Sequence, residues 1–124
     1  IIYKFIVLEI KGDNEMNNSF SSHIKKYINN DSKKLFKLKV ETNYKKNILT
    51  KNKKGEATSY SIKKTIKFEI VNYNNKRFIF EEEIKSTSMD NQFEFKKYEN
   101  TIKNNFIKSK TDEFILNLSD IKWL

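Results

Sequence analysis

Three lysines, Lys51, Lys53 and Lys54, crowd the stretch Lys51-Asn52-Lys53-Lys54-Gly55-Glu56-Ala57, and the chemistry that such a cluster offers is anion binding. An ammonium group is a compact charge with three donors, well suited to phosphate. Gly55 is one of only two glycines in the chain. A residue without Cβ takes the positive φ that a three- to five-residue hairpin loop with a bulge requires. The lysines are therefore expected at the tip of a hairpin. Catalytic constellations are missing. His23 is the only histidine and lies beside Ile24, which reads as a surface or boundary residue rather than a ligand. Glu81, Glu82 and Glu83 are consecutive on a strand and so face opposite ways. The chain has no cysteine, which excludes disulfides, thiolate chemistry and sulfur-ligated metals. It also has no glycine-rich phosphate loop and no serine flanked by glycines. The expectation is a protein that is not an enzyme, with no catalytic residue, metal or cofactor.

The elements that must position the lysines follow from periodicity. Phe36, Leu38 and Val40 alternate with Lys37, Lys39 and Glu41 before the tip. Beyond it Tyr60, Ile62, Ile66, Phe68 and Ile70 alternate with Ser61, Lys63, Thr65, Lys67 and Glu69. A period of two means strands with one wet face. Asn72-Tyr73-Asn74-Asn75 makes a second turn. Phe78, Phe80 and Ile84 alternate with Arg77, Glu81, Glu83 and Lys85 in a further strand, which completes a meander. Glu81 to Glu83 face Lys63, Lys64 or Lys67 as cross-strand charge partners.

Before the meander, Ile1 to Ile10 reads as a strand ended by Gly12-Asp13-Asn14. Its run Phe5-Ile6-Val7-Leu8 is apolar on both faces, which predicts a place inside the sheet. Asn17, Asn18 or Ser19 is the expected N-cap of a first helix of about three turns, ending near Asn29-Asn30-Asp31. Its apolar stripe is Phe20, Ile24, Tyr27 and Ile28. After the meander, a polar connection from Ser86 to Asn91 leads into a second, longer helix capped by Asp90 or Asn91. There Phe95, Tyr98, Ile102 and Phe106 form one stripe. Ile107, Phe114 and Leu118 lie about a quarter turn round from it, so the helix either bends near Ser109 or buries a broader face in its C-terminal half. The tail Ile121-Lys122-Trp123-Leu124 packs back or binds something. The order β-α-β-β-β-α predicts an α+β two-layer sandwich, a four-stranded, mostly antiparallel sheet with both helices on one face.

At 124 residues the chain is one domain, residues 1–124, with a single core. Its net charge of +9 predicts an anionic partner, whether nucleic acid, a phospholipid surface or a phosphorylated glycolipid. Charge does not choose among them, because an AT-rich genome also imposes abundant Lys, Asn and Ile with no Pro. No apolar run approaches the roughly 20 residues of a spanning helix. The chain starts at Ile1 within an apolar run, so a trimmed N-terminus is expected.

The segment Ile48 to Tyr60, followed by the alternating strand Ser61 to Val71, resembles LptE, the lipopolysaccharide-assembly lipoprotein family of Gram-negative outer membranes. In that family a basic residue stands near a glycine, and small residues precede a tyrosine that opens the next strand. Those positions are Lys53, Gly55, Ala57, Thr58 and Tyr60 here. The order of elements is similar over nearly the whole chain, including Lys85 at a strand end, the turn Met89-Asp90-Asn91, and a last helix with Glu99 and Ile115 to Leu118. The resemblance implies a domain on the periplasmic side of the outer membrane, anchored by an N-terminal lipid. The lipidated Cys is absent from this chain, and with the signal peptide it is expected to have been trimmed. The implied partners are the LptD barrel, which the domain plugs and supports, and lipopolysaccharide. The family's lipid-binding basic residues carry over to Lys53 and to Lys96 or Lys97.

A second reading is a single-stranded nucleic-acid module using Tyr60, Phe68, Phe78 and Phe80. Base stacking needs aromatics on the open face of the sheet. These four share the parity that the helices cover, so no nucleic acid is expected. A third reading is a structural module that binds its partner without contacting lipid.

Overall fold

The computed structural model describes residues 3–120, so the tail from Ile121 to Leu124 lies outside the described residues. Strand β1 is Lys4–Lys11 and helix α1 is Asn14–His23, followed by a short 3-10 turn, Ile24–Tyr27. The meander is β2 (Leu35–Lys51), β3 (Ala57–Ile70) and β4 (Lys76–Thr87), and helix α2 is Gln92–Asp120. The sheet order is β1-β2-β3-β4, with β1 parallel to β2 and the other pairs antiparallel. This is the α+β sandwich expected from the order of elements.

Both helices cover the same face. Phe20 of α1 and Phe114 of α2 contact Phe68 of β3 from above, the latter as a parallel stack with centroids 4.1 Å apart. Around them Met16, Phe36, Leu38, Ile66, Ile70, Ile107 and Leu118 are buried. Each such side chain stabilises the fold by about 1.5–3 kcal/mol relative to exposure. In the C-terminal half of α2, Phe106 and Ile107, then Phe114 and Ile115, are buried as neighbouring pairs, the broader face expected there.

Four expectations are corrected. β1 is an edge strand, not an interior one: the crossover through α1 returns the chain to its β2 side, and among the described residues no strand lies beyond it. Its Ile6, Val7 and Leu8 are accordingly part-exposed, with a bulge at Leu8. The N-cap of α1 is Asp13, whose Oδ2 accepts from the Met16 amide at 3.0 Å, so Asn17, Asn18 and Ser19 lie inside the helix. That helix stops at His23 and tightens into the 3-10 turn rather than running to Asn29. In α2, Tyr98 and Ile102 are only half-buried, while Glu99 and Lys103 are buried.

Gly12 makes the junction between β1 and α1 possible. Its φ is +116°, and a Cβ there would stand 1.9 Å from the Thr42 carbonyl oxygen, so the turn presses directly on β2.

Candidate functional site

The β2–β3 pair runs in register from Leu38 opposite Ile70 to Ile48 opposite Tyr60, then slips through two irregularities before Lys51 meets Ala57. Beyond the last pair the loop is held by Asn52. Its Oδ1 accepts from the amides of Lys54 (2.9 Å) and Glu56 (3.0 Å), and its Nδ2 donates to Glu56 Oε1 at 3.1 Å. This is the local turn chemistry that asparagine favours. Gly55 takes φ +83°, as the hairpin reading required, and its amide donates to the Asn52 carbonyl. Lys51, Lys53 and Lys54 are all exposed on this loop.

Helix α2 starts beside the base of that loop. Asn91 caps it, accepting from the Glu94 amide at 3.1 Å, and the Ser88 amide donates to the Thr58 carbonyl. Phe95, in the first turns, stacks on Tyr60 with centroids 5.3 Å apart. That contact brings Lys96 and Lys97 to the same end of the molecule as the hairpin lysines. Lys96 lines a cleft of about 280 Å³ with Lys46, Tyr60, Ser88, Met89, Gln92, Phe95 and Glu99.

Lys46 is engaged differently. Its Nζ lies over the rings of Tyr60 and Phe95 and 3.3 Å from Glu99 Oε1. The other Glu99 oxygen accepts from the Tyr44 hydroxyl. Burial pushes the Tyr44 hydroxyl up, and the Glu99 carboxylate pushes it further, so it stays a donor. Lys46, Glu99 and Tyr44 therefore form the floor of the site, whereas Lys51, Lys53, Lys54, Lys96 and Lys97 make no ion pair among the described residues.

The open face of the sheet contrasts with this end. Lys63 pairs with Glu81 at 2.7 Å, Lys67 with Glu41 at 3.4 Å, and Arg77 with Glu69 at 2.9 Å. The Glu81 carboxylate holds the Lys63 ammonium above its usual range, and the Arg77 guanidinium holds Glu69 below its own. On this face Lys63, Lys67 and Arg77 are thus each matched by a carboxylate. At the hairpin end five lysines stand without a carboxylate partner among the described residues.

His23 sits between α1 and α2, its Nε2 2.8 Å from Asp112 Oδ1, where the Tyr27 hydroxyl also donates. Among the described residues no group of three or more His, Asp or Glu is placed to hold a metal. No helix of the described residues is long and apolar enough to cross a membrane. Tyr60, Phe68, Phe78 and Phe80 lie on the helix side, in contact with Phe95, Phe114 or one another.

The same architecture recurs in solved structures. Rare lipoprotein B from Shewanella oneidensis matches at a TM-score of 0.57 and 12% identity, over 92% of this chain and 99% of that one. A minor lipoprotein from Acinetobacter baumannii matches at 0.60 and 12%, over 94% and 96%. An uncharacterized lipoprotein B from Nitrosomonas europaea matches at 0.53 and 12%, over 94% and 81%. This chain has the fold of these lipoproteins. No protein-family model and no curated protein matches its sequence. At 12% identity side chains have diverged almost everywhere, so what is shared is the order and packing of elements.

The loop anchor Asn52 and the buried Glu99 floor were missed from sequence. An asparagine four residues before a tip glutamate was a usable signal for the first. The second had only its place one helical turn after Phe95.

Proposed function

We propose that this chain is an LptE-like, non-enzymatic assembly module on the periplasmic side of the outer membrane, lipid-anchored in its natural form. It binds lipopolysaccharide and seats in and supports an LptD-type barrel. The observation that carries the reading is the gathering of Lys51, Lys53, Lys54, Lys96 and Lys97 at one end, without carboxylate partners among the described residues. The likeness to rare lipoprotein B over almost its full length supports the same reading. Clustered ammonium groups meet the phosphates of lipid A, and several must act together, because one exposed charge pair contributes only about 0–1 kcal/mol.

The test is binding of lipopolysaccharide at low salt. Lys53→Glu with Lys54→Glu is expected to weaken it about tenfold, and added salt is expected to weaken the wild type. Unchanged binding by the double variant would remove the tip from the site. For the barrel, co-expression with LptD and recovery of a stable complex is the expected result, and separate elution of the two chains would refute that half.

A further inference from the structure

The two outer strands of the sheet are protected unequally. On β1 the bulge at Leu8 breaks the register, and a bridge from Tyr3 to Ile28 backs the start of the strand. Bulges and local covers are the usual means of keeping a sheet edge from pairing with another chain. β4 has neither. It pairs with β3 without a register shift, and among the described residues no strand lies beyond it. Ile79, in the first half of β4, is 62% exposed, an apolar side chain on the charged, open face of the sheet.

The residues around Ile79 are self-complementary. Outward from it stand Phe78 and Phe80, then Arg77 and Glu81, then Lys76 and Glu82. When two copies of β4 lie antiparallel with Ile79 opposite Ile79, Phe78 meets Phe80, Arg77 meets Glu81, and Lys76 meets Glu82, each pair occurring twice. Each pair shares one face, as an antiparallel ladder requires. Lys76, Phe78 and Phe80 are opposite the buried Ile70, Phe68 and Ile66, on the helix side, and Glu82 shares their parity. Arg77, Ile79 and Glu81 are opposite Glu69, Lys67 and Thr65, on the open side. Neighbouring registers lose the match. A slide to centre on Phe80 sets Phe78 against Glu82 and Ile79 against Glu81. One to centre on Phe78 sets Lys76 against Phe80 and Arg77 against Ile79.

The open-side charges continue across such a junction. Within one chain Arg77 bonds Glu69 at 2.9 Å and Glu81 bonds Lys63 at 2.7 Å. The join therefore makes a row, Glu69 and Arg77 of one copy with Glu81 and Lys63 of the other, that alternates in sign. Charge complementarity of this kind fixes register and suppresses wrong partners.

We infer that this chain forms a two-fold dimer through β4, the two four-stranded sheets joining into one with Ile79 on the axis. Such a contact is isologous and closes, so no further copies add to it. A single strand edge buries less than the roughly 1,600 Å² of a standard interface, so the dimer is weak, in the micromolar range. The half of β4 in the contact lies beside Ile66 to Ile70, whereas its Thr87 end is opposite Ser59 near the hairpin tip. The lysine end therefore stays open in both copies. The inference goes beyond lipopolysaccharide and barrel binding and depends on neither.

The test is sedimentation equilibrium of the full chain over a concentration series, with the variants Ile79→Lys, Arg77→Glu and Glu81→Arg. Circular dichroism and thermal melting check that each variant is folded. The wild type is expected to move to twice the monomer mass as concentration rises. Ile79→Lys sets two ammonium groups against each other on the axis and is expected to weaken the dimer about tenfold or more. Arg77→Glu and Glu81→Arg each place like charges opposite one another twice, so each alone is expected to be monomeric. Mixed in equal amounts they are expected to form a heterodimer, because every carboxylate at these positions in one then faces a guanidinium of the other. That rescue separates the register from a general loss of stability. A wild type that stays monomeric at every concentration overturns the inference. So does a dimer that Ile79→Lys leaves intact, a charge variant that dimerises alone as the wild type does, or a mixture that stays monomeric. A dimer lost instead through Val7→Lys would put the contact on β1 and sink the assignment to β4.

Discussion

Lys103 Nζ lies 3.0 Å from Asp13 Oδ1, while the other oxygen of the same carboxylate caps helix α1. The ammonium is almost out of water and also lies 4.2 Å from the centroid of the Tyr44 ring. One carboxylate therefore ties the start of α1, the middle of α2 and strand β2 together. Thr42 closes the group, its Oγ1 accepting from the Asp13 amide at 3.0 Å and bonding Asn17 Oδ1 at 2.6 Å.

Asp13→Ala is expected to destabilise the protein by about 3–5 kcal/mol, because it leaves a buried ammonium without its counter-charge as well as removing a cap. Lys103→Met is expected to be far milder, near neutral, since the stem is already packed and Asp13 keeps its cap and some water. Urea unfolding of the two variants measures this. Equal losses would show that the pair itself, rather than the stranded charge, carries the energy.

The two glycines provide a second contrast. Gly55 has φ +83° and nothing within 4 Å of where a Cβ would be, so Gly55→Ala costs only backbone strain, about 1–2 kcal/mol. Gly12→Ala would drive a methyl group into the Thr42 carbonyl, and backbone there cannot give way without moving β2. The expected outcome is a folded, slightly less stable protein for the first and a loss of cooperative unfolding for the second. Thermal melts followed by circular dichroism distinguish them.

What the sequence made legible was local. Gly55 and the pair Asn74 and Asn75, with φ of 58° and 53°, are turn residues whose backbone needs are written in their own chemistry. The alternation through β2, β3 and β4 likewise needs no partner to be read. What stayed hidden depends on distant residues. Lys64, Glu99 and Lys103 are charges whose type argues for solvent, and their burial makes sense only once Glu82, Tyr44 and Asp13 are seen opposite them. The run Phe5 to Leu8 misled for a related reason, since apolarity reports a demand for cover but not which side of the sheet the crossover leaves open. The site followed the same division. The tip lysines were apparent from spacing, but their proximity to Lys96 comes from the Tyr60 to Phe95 stack across the sandwich.

The last prediction concerns acid and alkali, and rests on the contact between α1 and α2. Burial pushes the Asp112 carboxyl up, but hydrogen bonds from Tyr27 and His23, with the charges of His23 and Lys26, more than offset this and leave it below its ordinary value of 3.8. A carboxyl lowered on folding contributes stability that is present above 3.8 and is lost as pH falls through the lower folded value. Tyr27 behaves oppositely. Burial first, then the Asp112 carboxylate, raises it to about 12, so its contribution is present below 10 and is lost as pH rises through about 12. Asp112→Asn is expected to flatten part of the acid limb of a stability profile and also to shrink the alkaline loss above pH 10, because without the carboxylate the folded Tyr27 hydroxyl lies closer to its unfolded value. Denaturant midpoints measured from pH 2.5 to 11 check both limbs. A profile unchanged by the substitution would mean that the His23, Tyr27 and Asp112 cluster contributes nothing to holding the two helices together.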